Sequence, residues 1–225
     1  MEITWYGGTC VRLKGREGVI VADAYPSVVG PTGRGVTADL VTYSHADDAP
    51  VKTKGSRDVA NGHTVVRPTS LEPAFLLDGP GEYEVHDLLV NGVRTFRDDA
   101  RGSDRGFNTC FVYELDGMHT VHLGDIGHLL NEERVGEIGS VDIVLVPIGS
   151  ALTAARAAEL VAQLDANLIV PMPVGDDEAA AASALERFLH EMSVAHPTPV
   201  SRLTVTISSV PSETTVVVLE PRGKS

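Results

Sequence analysis

Residues 122–128 read His-Leu-Gly-Asp-Ile-Gly-His, and they end the clearest hairpin of the chain. Residues 109–115 and 119–123 have the pattern of two short strands, and Asp116-Gly117 between them is a typical hairpin turn. Asp125 lies between two glycines, which allow the backbone to approach another group closely. With His122 and His128 on either side, Asp125 is a candidate metal or acid–base centre. Strand alternation also allows one of these histidines to be an ordinary core residue.

The hydrophobic pattern around this hairpin predicts an α/β chain. Residues 143–146 and 168–170 are continuous apolar runs, typical of strands buried on both faces. Helical spacing follows each run, at residues 157–164 with Thr153 as N-cap, and at residues 185–192 with Asp176 or Asp177 as N-cap. Short strands are predicted at residues 2–6, 10–13, 19–22, 40–43, 64–67, 75–77 and 88–90, and a closing strand pair at 203–208 and 215–219. We therefore expect mixed sheets in a single domain over residues 1–225.

The charge balance limits the classes of partner. The chain has 18 basic and 31 acidic residues, a formal net charge of −13, which argues against a nucleic-acid partner. No apolar run is long enough to span a membrane, and the N-terminal residues lack the pattern of a secretory signal. Cys10 and Cys110 lie in apolar strands and form no Cys-x-x-Cys motif. We expect buried thiols, a cytoplasmic location and no contact with a membrane.

Three other segments could contribute to a site. Ser44-His45-Ala46-Asp47-Asp48 ends a predicted strand, where loops commonly build active sites, although on spacing alone it favours a solvated acidic turn. Residues 97–99, Arg-Asp-Asp, indicate surface charge when taken alone. Residues 171–175, Pro-Met-Pro-Val-Gly, indicate a rigid loop without a catalytic group. The chain contains neither a Gly-x-Ser-x-Gly elbow nor a Walker phosphate loop, and no nucleophile–base pair is recognisable.

Together, these segments resemble the metallo-β-lactamase superfamily, within it the branch of L-ascorbate-6-phosphate lactonase and related metal-dependent hydrolases. The resemblance extends from Ile3 almost to Pro221 and includes Asp23, which is similar to the aspartate that ends the third strand of the family. Its other motifs are residues 3–7, 78–85, 105–109, 122–128, 141–149 and 169–172. The resemblance implies a four-layer αβ/βα sandwich with its site at one edge of two facing sheets. Active members bind one or two divalent ions there and hydrolyse esters, lactones, amides or phosphodiesters.

The chain departs from the family at most ligand positions. The signature H-x-H-x-D-H falls on residues 45–50, where His45 keeps the first histidine and Asp47 replaces the second. Asp125 keeps the carboxylate of the Gly-Asp motif. Four other ligand positions carry residues without a metal-binding group: Ala49, Pro50, Arg97 and Pro173. A catalytic zinc site usually needs about three protein ligands, and a guanidinium repels a divalent cation.

Two functions remain open from these residues. The first is a metal-free protein without catalytic activity, in which Arg97 pairs with Asp47 and Asp125, and whose cleft binds an unidentified small molecule or protein partner. The alternative is a hydrolase with one divalent ion, Zn or Mn, held by His45, Asp47 and Asp125. In that case Asp125 and His45 would be the catalytic residues, and Asp48, His122 and His128 are further candidates for the cleft. The sequence gives no indication of the oligomeric state.

Overall fold

Two mixed β-sheets packed face to face form the centre of the molecule. The computed structural model describes residues 1–48, 57–77, 79–175, 177–195 and 197–222. The first sheet has the strand order β14-β1-β2-β3-β4-β7, and the second has the order β15-β13-β12-β11-β10-β9-β8. The strands are β1 (Glu2–Gly7), β2 (Cys10–Lys14), β3 (Val19–Ala22), β4 (Leu40–Thr42), β5 (Arg57–Ala60), β6 (His63–Val66), β7 (Phe75–Leu77), β8 (Gly81–Val85), β9 (Leu88–Phe96), β10 (Phe107–Leu115), β11 (Met118–His122), β12 (Ile143–Ile148), β13 (Leu168–Pro173), β14 (Leu203–Thr204) and β15 (Thr215–Val216).

Three helices cover the outer face of the second sheet, and a one-turn helix with a β-hairpin covers that of the first, which gives the layers of the α/β sandwich. Apolar side chains from both sheets, including Ile3, Phe111 and Leu145, fill the central layer. A second apolar layer lies under α2 (Glu132–Ile138), α3 (Ala154–Leu164) and α4 (Glu178–Glu191). A third lies under α1 (Pro26–Val29) and the β5–β6 hairpin. In the described residues, no helix is long and apolar enough to cross a membrane.

The two long helices form as the sequence predicts. The Thr153 side chain accepts a hydrogen bond from the backbone N–H of Arg156 at 3.3 Å and so begins α3. Asp177 begins α4 in the same way, since its carboxylate accepts the N–H of Ala180 at 2.8 Å. Asp176, the other candidate cap, lies outside the described residues. The sequence patterns missed α2, a seven-residue helix capped by Asn131.

Residues 171–173 were expected in a rigid loop, and this expectation was wrong. They continue β13 in parallel register with β12, with Pro171 opposite Val146 and Pro173 opposite Ile148. Asn167 and Ile169 turn their backbone carbonyls toward the β15 side of the strand. The backbone groups of alternate residues in a strand point toward the same neighbouring strand. Those of Pro171 and Pro173 therefore point to the β15 side as well, at positions beyond the end of β15. Their missing N–H groups therefore interrupt no hydrogen bond of the sheet.

The expected closing strand pair is also wrong. Leu203–Thr204 pairs with β1 in the first sheet, whereas Thr215–Val216 pairs with β13 in the second. The two segments therefore close opposite sheets and do not pair with each other. Residues 203–208 alternate between apolar and polar side chains, and residues 216–219 are continuously apolar. Either pattern indicates a strand without identifying its partner.

Candidate functional site

Loops that follow β4, β9, β11, β12 and β13 meet at one edge of the two sheets and enclose a cavity of about 520 Å³. We call this cavity the cleft and define it by five of its lining residues: His45, Asp47, Asp48, Arg105 and Asp125. Four of these five were predicted from the sequence, and Arg105 was not among the candidate site residues. Gly8 also lines the cleft.

Buried hydrogen bonds orient His45 at the end of β4. The Ser44 Oγ lies 2.6 Å from the Asp23 Oδ2 and 2.7 Å from the His45 Nδ1. The ionised Asp23 carboxylate can only accept, so the single hydroxyl proton of Ser44 is donated to it. Nδ1 of His45 must therefore carry a proton and donate it to Ser44. We infer that Nε2 of His45 keeps its lone pair and can act as a base or as a ligand.

Arg97 is the central charge of the site. Its side chain is only 4% exposed, and its Nε donates to the Asp125 Oδ2 at 2.8 Å. Its two terminal nitrogens donate to the carboxylate of Asp48, one of them at 2.8 Å to Oδ1. Burial alone would lower the pKa of Arg97, but the hydrogen bonds and charges of both carboxylates raise it above its usual value. The guanidinium therefore stays protonated and bridges two acidic residues.

Pairing of Arg97 with Asp125 was predicted, but its second partner is Asp48, the residue after the predicted Asp47. Partial burial favours the neutral form of Asp48, yet the hydrogen bonds and charge of Arg97 lower its pKa. The Asp47 carboxylate accepts the Ser27 hydroxyl at 2.9 Å and lines the cleft.

Arg105 is the second cation at the site. Its Nη2 donates to the Asp125 Oδ2 at 3.1 Å and to the Ser150 Oγ at 3.2 Å. The loop that holds Arg105 is organised by Asp98, whose carboxylate accepts backbone N–H groups from residues 100, 102, 104 and 105 at 2.7–3.2 Å. Burial opposes ionisation of Asp98, but these hydrogen bonds lower its pKa. Residues 97–99 taken alone indicated surface charge. Asp98 instead has a structural role, because it orders the loop that holds Arg105.

The Gly-Asp loop is fitted tightly between strands. The Asn108 Oδ1 accepts the backbone N–H of Asp125 at 2.9 Å, and the Asn108 amide donates to the carbonyl of Leu123 at 3.0 Å. Gly124 has φ +63°, and a Cβ there would collide with Asn108 and Ser44. Only glycine fits this position, which explains the Gly-Asp pair as a packing requirement.

Neither His122 nor His128 contributes a ring to the cleft. The His128 Nε2 accepts the backbone N–H of Phe96 at 3.1 Å, and its Nδ1 lies 2.7 Å from the carbonyl of Leu129. His122 is fully buried, and its Nε2 lies 2.8 Å from the carbonyl of Thr9. Pro173 is the buried last residue of β13, while Ala49 and Pro50 lie outside the described residues.

His122 is expected to make stability pH-dependent. Burial lowers its pKa below 6.5, so the folded protein takes up this proton only at a lower pH than the unfolded chain. The unfolded chain therefore binds more protons as the pH falls below about 6.5, and the free energy of unfolding decreases by up to about 1.4 kcal/mol per pH unit. Urea unfolding of wild type and His122→Gln between about pH 7.5 and 5.5 measures this. The variant should show the smaller pH slope, and equal slopes would exclude His122 as the source.

Three residues of the cleft carry groups that can ligate a divalent ion. His45, Asp48 and Asp125 each offer one ligand atom within 4.8 Å of the others. Among the described residues, the Asp125 Oδ1 is buried without a hydrogen-bond partner. The guanidinium of Arg97, however, already binds both carboxylates, and a divalent ion among them would be repelled by its charge. The arrangement as it stands does not fit a tightly bound divalent ion.

The family of the chain follows from comparison with known proteins. The family model described as Beta-lactamase superfamily domain matches residues 2–173. Among curated proteins, a UPF0173 metal-dependent hydrolase of Methanoculleus marisnigri is 26% identical over 186 residues, covering 76% of this chain and 80% of the relative. A protein with the same description from Methanoregula boonei is 28% identical over 196 residues, covering 82% and 86%.

Solved structures agree with this match. A Thermotoga maritima protein, described as a proposed Zn-dependent hydrolase of the metallo-β-lactamase superfamily, is 30% identical, with 97% of each chain covered and a TM-score of 0.70. A metallo hydrolase from Ignicoccus hospitalis shares the fold at 16% identity and a TM-score of 0.60, with 91% of this chain and 99% of that chain covered. The chain belongs to the metallo-β-lactamase superfamily.

Proposed function

We propose that this chain is a metal-free member of its superfamily, whose cleft binds a small molecule without metal-dependent hydrolysis. The observation that carries the proposal is the buried guanidinium of Arg97, hydrogen-bonded to both Asp48 and Asp125. A histidine is expected at this position in active relatives. Arginine there supplies a permanent positive charge, which compensates the carboxylates that a metal ion would otherwise neutralise.

The positions around Arg97 support the same proposal. Of the seven usual ligand positions, only His45 and Asp125 keep a family ligand. Ala49, Pro50 and Pro173 have no side-chain donor atom, so the second ion of a two-metal site would have no ligands there. We extend the assignment to the branch of L-ascorbate-6-phosphate lactonase as part of this proposal, because the motifs at residues 78–85 and 105–109 resemble that branch.

A hydrolase with a single divalent ion is the second candidate function. Its support is the group His45, Asp48 and Asp125, together with the descriptions of the relatives as metal-dependent hydrolases. Such an ion would require the Arg97 guanidinium to leave at least one carboxylate. The divalent ion, when bound, would supply an activated water molecule for hydrolysis.

Metal content separates the two candidates. Purified wild type, dialysed and measured by elemental analysis, should contain far less than one equivalent of zinc, manganese or iron. A variant with the family ligands restored, Asp47→His, Ala49→Asp, Pro50→His, Arg97→His and Pro173→His together, should retain about one equivalent or more of zinc. The reason is that the restored site has histidine and aspartate donors where the wild type has a cation or no donor.

Two further measurements control this experiment. Arg97→His alone should increase zinc retention over wild type, whereas Arg94→His, near the end of the preceding strand β9, should not. Arg94 stacks on the ring of Phe107, with 4.7 Å between its guanidinium carbon and the ring centre, and does not line the cleft. Near-stoichiometric metal in dialysed wild type, with phosphodiesterase or lactonase activity that Asp125→Ala abolishes, would establish the second candidate instead.

A further inference from the structure

His45 presents one unpartnered ring nitrogen to the cleft. Its side chain is only 8% exposed, and its Nδ1 lies 2.7 Å from the Ser44 Oγ. Within the part of the chain that the structure describes, no group forms a hydrogen bond with Nε2. Nε2 is also not among the fully buried polar atoms that lack a partner, so it keeps surface that a ligand can reach. Since His45 lines the cleft, a proton-accepting nitrogen is available there.

The buried carboxylate of Asp23 favours proton uptake by this ring. Asp23 is fully buried, and its Oδ2 lies 3.6 Å from the His45 Nδ1 and 3.9 Å from the His122 Nε2. Among the described residues, no arginine or lysine forms an ion pair with Asp23. A proton accepted at Nε2 of His45 therefore places a positive charge close to an anion that lacks a permanent cationic partner. This arrangement suits a general base, because it stabilises the imidazolium that the base becomes.

Arg105 has N–H groups to spare for a ligand. A guanidinium carries five N–H donors. Nη2 donates to the Asp125 Oδ2 at 3.1 Å and to the Ser150 Oγ at 3.2 Å, and Nη1 donates to the carbonyl of Arg97 at 3.5 Å. The other two N–H groups have no partner among the described residues, and the side chain is 36% exposed. Arg105 can therefore donate to a ligand oxygen and stabilise negative charge on it.

His45 and Arg105 contact the same ligand-sized space. Both line the cleft, whose volume of about 520 Å³ suits a small molecule. Asp125 lies between them, since one of its oxygens is within 4.8 Å of a ring nitrogen of His45 and its Oδ2 is 3.1 Å from the Arg105 Nη2. The base and the donor are thus close enough for one carbonyl group and its neighbouring carbon to contact both.

This pair of groups favours proton transfer over nucleophilic catalysis. A side-chain nucleophile has to be hydrogen-bonded to its base. Among the described residues, the one hydroxyl that contacts the His45 ring is that of Ser44, and it lies at Nδ1 and donates to Asp23. Nε2 therefore meets a proton that the ligand itself carries. A carbon next to a carbonyl group carries such a proton, and Arg105 stabilises the enolate oxygen that forms when the proton leaves.

Asp48 adds a preference for a hydroxyl group on the ligand. Its carboxylate lines the cleft, is 65% exposed and accepts one hydrogen bond from Arg97 at each oxygen. An ionised carboxylate has about four lone-pair sites, so each oxygen can accept a further hydrogen bond. A hydroxyl group beside the carbonyl group of the ligand can donate to Asp48.

We propose that the cleft catalyses the enolisation of a small uncharged α-hydroxy ketone or aldehyde without a metal ion, with His45 as the general base and Arg105 as the donor to the carbonyl oxygen. The C–H bond breaks and its proton moves to Nε2. The electron pair of that bond forms the C=C bond of the enolate, and the carbonyl π pair moves to oxygen. Return of a proton from Nε2 to carbon completes the cycle, so no co-reactant is consumed. The proposal rests on the proposed function, because a metal ion at His45 would take the lone pair of Nε2.

Deuterium exchange of hydroxyacetone in D₂O, followed by proton NMR at about pH 8 with EDTA present, tests the proposal. Wild type should exchange the protons next to the carbonyl group faster than buffer alone. His45→Gln should lower the protein-catalysed rate roughly 100-fold or more, and Arg105→Gln roughly tenfold or more. Acetone, which lacks the hydroxyl group, should be accelerated less than hydroxyacetone. His119→Gln is the matched control and should behave like wild type, because His119 is exposed and does not line the cleft.

Chemical rescue separates the catalytic role of His45 from a structural one. His45→Gly leaves space for free imidazole beside the ligand. Added imidazole should therefore accelerate exchange in this variant roughly tenfold more than it does in His119→Gly, which keeps its own base in the cleft. Equal effects of imidazole on the two glycine variants would contradict the assignment of His45 as the base.

The proposal is overturned if wild type exchanges hydroxyacetone no faster than buffer, or if the two glutamine variants of histidine lose the same activity. Hydrolysis of phenyl acetate that His45→Gln abolishes, without exchange of hydroxyacetone, would also overturn it, because the base would then act on water. Exchange that EDTA abolishes would point to a bound metal ion. Elemental analysis of the same protein preparation detects that ion and so identifies failure of the proposed function separately.

Discussion

Replacing Arg97 with methionine is expected to lower the free energy of unfolding by about 3 kcal/mol, the lower end of the range for breaking a buried ion pair. Methionine keeps much of the apolar volume of arginine but removes the charge. Among the described residues, Asp125, whose side chain is 4% exposed, would keep only Arg105 as a cationic partner. Urea unfolding at neutral pH measures the change.

The pair can be isolated by a double-mutant cycle with Asp125→Asn. Each single substitution should destabilise the protein, and the double variant should lose clearly less than the sum, because no unpaired buried charge remains. Arg94→Met, on the preceding strand β9, is the control, with an expected loss of about 1 kcal/mol or less for its contact with Phe107. Additive effects in the cycle would show that Arg97 does not stabilise the fold through Asp125.

The same variant also tests the exclusion of metal. In Arg97→Met the carboxylates of Asp48 and Asp125 lose their shared guanidinium, so added Mn²⁺ or Zn²⁺ should raise the melting temperature more than it does in wild type. An equal increase in both proteins would indicate that Arg97 does not compete with a metal ion.

Replacing Asp23 with alanine is expected to cost about 3 kcal/mol or more. Asp23 is fully buried and accepts the backbone N–H of Ser44 at 2.7 Å and the Ser44 hydroxyl at 2.6 Å. Hydrogen bonds to a charged group contribute roughly 1.5–3 kcal/mol each, and the donors left without a partner add to the loss. Asp23 also has φ +53°, a backbone conformation that alanine adopts less readily than aspartate or asparagine.

Two variants show how much of this loss comes from the carboxylate. Asp23→Asn tolerates the same backbone conformation, so it should cost less than alanine but more than Asp39→Ala. Asp39 is an exposed aspartate that accepts the N–H of Val19 at 2.8 Å, and its loss should cost about 1 kcal/mol. Imidazole ¹⁵N shifts should also report protonated Nδ1 in wild-type His45 and a mixture of tautomers in Asp23→Ala. An unchanged tautomer would contradict the orientation of His45 through Ser44.

The sequence by itself determined the layered fold and the two retained family residues. Apolar runs at residues 143–146 and 168–170, followed by helical spacing, predicted β12, β13, α3 and α4, because local periodicity reflects which faces are buried. His45 and Asp125 were also recognisable, since each lies in a motif that follows a strand. The substitution of arginine at position 97 was likewise visible from the sequence alone.

Only the tertiary structure decided which charged groups meet. Successive residues after a strand point in different directions, so the sequence could not distinguish Asp47 from Asp48 as the partner of Arg97. Arg105 contacts Asp125 and Ser150 across separations of 20 and 45 residues, and no local pattern encodes such a contact. The same holds for β14 and β15, which both have strand-like sequences but close different sheets, because strand pairing depends on distant partners.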